Sequence, residues 1–398
     1  MSAPGPGGGN PFEGLFGELA RLLSGQGPVN LEMARQMAQW LALQGQPETN
    51  VDPLERIRFD ELFRAADLHV ARTTGLATSV TGGLLRPRAV GRSEWAARTL
   101  DDYRPQLEAL AEGLTAAGLA GTGPGAEPEG EPDDPTARLL GGMAQMVGPL
   151  LLGMQAGSMV GHLAGHSFGQ YDLPVPRPPS DELLVVPATI ATFAGDWSLA
   201  VDDVRLWVCL SEIAHHAVLG RPHVAGRLNE LIGEYARGFR PDPSALEDRL
   251  DDFDPTDPAS LQAAIGDPAG LLGAMQTPEQ RQVLARLRAL VAALEGYVDH
   301  VVDEAGRGLL SAPEALAEAR RRRRVERGEG ERLVERLLGV ELGQDQFERG
   351  RSFVQGVVDR AGDDGLARLW SQPRHLPTPA EVDAPGLWLE RIDLPDRA

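Results

Sequence analysis

Apolar residues recur at helical spacing along much of the chain. They run as Leu15, Leu19, Leu22 and Leu23, then from Met33 to Leu43, then from Leu54 to Thr74. That period predicts amphipathic helices. Asn30 is placed to cap the second of these, and Asp52-Pro53 to open the third. Leu139 to Gly165 contains no charged residue. Its length is that of a membrane span. However, Gln145, Pro149 and Gln155 interrupt it, and no arginine cluster flags one side. Gly153, Gly157, Gly161, Gly165 and Gly169 recur every fourth residue, a ridge that lets another helix approach closely. A buried core helix is therefore expected, with no membrane span. Its partner is a helix of the same chain or of a second copy, so a homo-oligomer is one of two outcomes.

Asp172 to Pro179 is proline-rich and extended, and the β-branched stretch Leu183 to Thr192 predicts one or two strands. Helical spacing returns over Val201–Gly220, Val224–Tyr235, Pro278–Ala305 and Glu314–Leu338. Arg320 to Arg324 is a basic run flanked by acids, which reads as a solvated helix face ahead of an anion site. The pattern predicts a mainly α fold with a small β-sheet. Its expected parts are a disordered tail over 1–11, an N-terminal helical region over 12–120, an acidic Gly/Pro-rich flexible insert over 121–136, a helical core domain over 137–385 and a tail over 386–398.

Composition narrows the function classes. The chain has 398 residues, a net charge of −20 and 42% hydrophobic residues, enough for a real core and unlike a general nucleic-acid binder. All 38 basic residues are arginine. Schiff-base and phosphate-loop lysine chemistry is therefore excluded. Cys209 is the single cysteine, so no intrachain disulfide forms, which fits a reducing compartment. The Gly/Pro-rich start carries no signal-peptide pattern. A cytoplasmic protein is expected.

Glu212, His215 and His216 interrupt the apolar run from Leu206 to Leu219. Burying a carboxylate there costs roughly several kcal/mol unless it is paired or metal-bound. Ser211-Glu212-Ile213-Ala214-His215 is one residue short of His-Glu-x-x-His, which sets two zinc-binding imidazoles one helical turn apart beside a general-base carboxylate. Glu295 and Asp299 are four apart in a second apolar helix and share a face.

These stretches resemble a bacterial family of zincin-like, zinc-dependent metallopeptidases, a sister group of which is associated by name with deazaflavin coenzyme biosynthesis. The resemblance rests on Pro28–Arg35, Phe168–Pro174, Leu206–His216, Leu294–Asp299, Trp370 and Leu376–Thr378. It implies a mostly helical zincin-like core with an active-site helix and a second ligand helix. It also implies zinc as cofactor and a peptide or protein as substrate. By position it makes His215 a zinc ligand, Glu212 the catalytic glutamate, Glu295 the third ligand and Asp299 an outer residue that orients the first histidine. Ser211 stands where that first ligand belongs, and a neutral hydroxyl is a poor zinc ligand. His216, about 100° round the helix from His215, His300 and His223 are the candidate substitutes. Tyr297 or His300 is a candidate oxyanion partner. Three readings follow: a zinc-dependent peptide hydrolase, a zincin fold without stable metal that binds or scaffolds, and an unrelated helical interaction protein.

Overall fold

The computed structural model of the chain describes residues 27–116, 135–240, 277–326 and 328–395. The expected tail over 1–11, the Leu15–Leu23 helix and the insert up to residue 134 lie outside these residues.

The described chain is mainly helical. In order it forms α1 (Leu31–Leu43), α2 (Pro53–Thr74), β1 (Arg86–Ala89), α3 (Arg92–Asp102), α4 (Arg104–Ala116), α5 (Pro135–His166) and β2 (Glu182–Val185). There follow α6 (Pro187–Asp196), α7 (Val201–Leu219), α8 (Pro222–Arg237), α9 (Pro278–Ala305), α10 (Pro313–Val325), α11 (Glu329–Leu338) and α12 (Gln344–Leu366). A 3-10 turn at Pro373–His375 leads to α13 (Pro379–Asp383) and α14 (Pro385–Asp393). Helix starts follow local chemistry. The Asn30 side chain accepts from Met33 N–H at 3.0 Å, and Asp52 caps α2 just ahead of Pro53.

The glycine ridge packs inside the chain. Ala34, Ala38 and Ala42 form the buried stripe of α1. A Cβ on Gly153 would strike the Asn30 backbone, and one on Gly157 the Ala34 carbonyl. One on Gly161 would strike Leu41 and Ala38. Small residues on both sides thus let the α1 and α5 backbones touch. Gly165 faces open space, and Gly169 lies beyond the end of α5. Among the described residues no helix is long and apolar enough to cross a membrane.

The strand expectation for 183–192 is corrected. Only Glu182–Val185 is a strand, parallel to β1, with Arg86 opposite Glu182 and Ala89 opposite Val185. Pro187 then opens α6 at a position where its fixed φ suits a helix. The ladder ends because β1 itself ends. Val90 N–H closes on the Val185 carbonyl, and Val186 N–H turns to the Phe168 carbonyl. That last bond, with the Gly169–Val185 bridge, lays residues 168–171 along the free edge of β2. The expected helix over 314–338 is likewise broken, into α10 and α11. The segment 386–398, read as a tail, contains most of α14, whose Trp388 and Ile392 are buried.

α7 and α9 lie in the core. Every residue of α7 from Val204 to Leu219 is buried except Leu206 and Ser211. α9 is buried without interruption from Ala289 to Val298. These two helices carry the polar residues singled out above.

Candidate active site

α7 and α9 meet at His215 and Glu295. The His215 Nδ1–H donates to the Ser211 carbonyl one turn back, at 2.8 Å. A carbonyl can only accept, so this bond sets the tautomer. It turns Nε2 toward Glu295, whose Oε1 lies 3.2 Å away. Both side chains are buried. Burial opposes charge on the imidazole, yet the Glu295 carboxylate more than compensates and raises the His215 pKa. The Tyr171 ring stacks over His215, 5.9 Å away and 20° from parallel.

Glu212 points to the edge of β2. Its Oε2 accepts from the Gln170 N–H at 2.8 Å and the Tyr171 N–H at 3.0 Å. Gly169 lies flat against this carboxyl, and a Cβ there would overlap it. Burial pushes Glu212 up to about 8, although the His215 charge and both backbone N–H groups favour ionisation. A carboxyl of this kind is mostly protonated at neutral pH.

Asp299 is engaged by α10. Arg324 grips it with two N–H groups, at 2.8 and 2.7 Å, and Arg320 adds a short third contact. The basic run is therefore divided. Arg321 and Arg322 are solvated beside Glu318. Arg320, Arg323 and Arg324 turn inward, and their guanidinium carbons sit 5.1, 3.7 and 3.6 Å from the ring centres of Trp207, Phe168 and Phe347. With Ser211, Glu212, His215, Glu295 and Tyr171 these arginines line a cavity of about 80 Å³.

The remaining candidates lie elsewhere. His216 hydrogen-bonds the Tyr171 hydroxyl at 2.9 Å and approaches Asp181 at 3.8 Å. Tyr297 is buried edge-on against Trp370, and its pKa is raised by that burial. His300 pairs with Asp363 at 3.5 Å on the partly exposed side of α9. None of the three lines the cavity. Sequence reading missed Tyr171 and the inward arginines as parts of the site. Five consecutive arginines gave no signal of which would turn inward.

Residues 29–389 match the model of the zincin-like metallopeptidases. The chain belongs to this family. Its fold is also that of a crystal structure from Chloroflexus aurantiacus, described as a provisionally assigned hydrolase with a novel fold. The TM-score is 0.63 at 23% identity, and the match covers 92% of this chain and 99% of the other. No curated protein matches the chain.

The family implies zinc, which sets a distance and a number of donors. Two zinc bonds of about 2.0–2.1 Å at a tetrahedral angle hold their donors roughly 3.3 Å apart. His215 Nε2 and Glu295 Oε1, 3.2 Å apart, match that edge. Among the described residues no third protein donor joins them. Ser211 offers a neutral hydroxyl, and one Glu212 oxygen is held by two backbone N–H groups. Among the described residues no three His, Cys, Asp or Glu side chains are grouped to hold a metal ion. The residues present do not fit a firmly held zinc ion.

Proposed function

We propose that this chain is a zincin-fold binding protein whose zinc centre has been replaced by a metal-free polar cluster. The observation that carries this reading is the donor set. Among the described residues only His215 and Glu295 converge, where a catalytic zinc site uses three protein ligands. One further feature supports it. Asp299 is taken up by two arginines rather than left for an imidazole. A cytoplasmic place of action and a peptide or protein partner belong to the same reading. The single buried cysteine agrees with the first of these.

A zinc-recruiting peptide hydrolase is the second reading. It is favoured by one observation, the 3.2 Å spacing of His215 and Glu295.

Metal analysis separates the two. Protein purified without a metal-affinity tag should carry far less than one zinc per chain. Ser211→His, which supplies the third donor, should approach one zinc per chain and melt at a higher temperature with zinc than with chelator. Stoichiometric zinc in the wild type would defeat the metal-free reading.

A further inference from the structure

We propose that the cavity beside Ser211 is an anion site, which holds a carboxylate or phosphate group of the bound partner. It rests on the metal-free reading and adds the ligand class. Three guanidiniums from α10 form one wall, those of Arg320, Arg323 and Arg324. Each packs on an aromatic ring, which holds its plane, while Asp299, Asp303, Asp172 and the His166 carbonyl accept from part of their N–H groups. The Arg320 side chain is only 10% exposed. Its Nε has no hydrogen-bond partner among the described residues. A buried donor left unmade costs about 1–3 kcal/mol, and an entering oxyanion would satisfy it. The Ser211 hydroxyl adds a donor from the opposite helix.

Asp172, Glu212 and Glu295 also line the cavity, and each carboxyl in or beside it has its own partner. Asp299 holds Arg320 and Arg324 without lining the cavity. Asp172 meets Arg323 at 3.4 Å. Glu295 is answered by His215, and Glu212 by two backbone N–H groups. Size points the same way. About 80 Å³ suits one small anionic group and falls far below the roughly 300–1,000 Å³ of a pocket that engulfs a drug-sized ligand. The body of the ligand has a place as well. Arg320, Arg324 and Phe347 also line a second cavity of about 350 Å³, together with Arg351, Gln344, Asp299, Asp303 and Glu348.

The test is calorimetric titration of the full chain with sodium phosphate and, separately, sodium acetate, at ionic strength held constant with sodium chloride. One saturable site is expected for at least one of the two anions. Heat from phosphate alone marks a phosphorylated ligand, and heat from acetate alone a carboxylate. Arg323→Gln should weaken binding about tenfold or more. Ser211→Leu, which fills the cavity from the α7 side, should abolish it and serves also where Arg323→Gln fails to fold. Absence of saturable heat, equal affinity in Ser211→Leu, or heat that chelator removes would overturn the anion site. Zinc content of the same sample keeps the two ideas apart. A zinc-free protein that ignores both anions sinks only this inference, whereas a zinc-loaded wild type sinks the metal-free reading.

Discussion

Asp299 is held far below the ordinary carboxylate range, at about 2. Burial opposes its ionisation, and the Arg320 and Arg324 guanidiniums more than offset that. The unfolded value lies near 3.8, so unfolding takes up a proton as the pH drops between the two. The stabilisation is complete above the unfolded value and is lost as the pH falls through about 2. The shift corresponds to roughly 2 kcal/mol at neutral pH. Asp299→Asn should lose at least about that much at pH 7. Its stability should also fall less steeply with acid than the wild type's, by about one proton. Urea melts from pH 7 to pH 3 check both, and equal acid slopes would contradict the assignment. Nothing local in the sequence names these partners. Glu295-x-x-x-Asp299 reads equally well as a ligand and its helper, because the spacing says only that both side chains share a face. Arg320 and Arg324 enter from another helix, and flanking acids made their run look solvated.

The α9–α12 crossing holds Glu295 in place. A Cβ on Gly296 would run into the Gly350 backbone, and one on Gly350 into the Ala292 carbonyl. Neither neighbour can swing aside as a side chain would. Gly296→Ala should therefore destabilise by about 1–3 kcal/mol or more, although alanine is the better helix former. Gly226 in α8 meets nothing within 4 Å of its added Cβ. Gly226→Ala should instead stabilise by about 0.5–1 kcal/mol. Urea midpoints with unchanged slope provide the comparison, and the pair should move in opposite directions. Most helices were legible from apolar spacing and from caps such as Asn30 and Asp52. The stretch 183–192 was not, because β-branched residues suit a strand only while a partner strand continues beside them, and β1 stops at Ala89.

One apolar cluster runs from Val29 to Ile392, so both ends of the described chain belong to the same core. Trp388 is fully buried, packs edge-on to Phe353 and donates its indole N–H to the His375 carbonyl at 2.7 Å. Trp388→Ala should cost about 3–5 kcal/mol. The loss should also lower amide-exchange protection in α1, far along the chain, rather than loosen α14 alone. Unchanged protection in α1 would point to separable units. Residue order was enough to read the helical class, the near-motif at Ser211–His215, the missing imidazole and the absence of lysine, because each depends on residue identity or on spacing within one element. Folding chose the partners. It brought Glu295 to His215, Arg320 and Arg324 to Asp299, Gly169 to Glu212, and the glycine ridge to α1 rather than to a second copy. Spacing sets which face of a helix a residue occupies, but which faces then meet depends on packing between segments far apart in the chain.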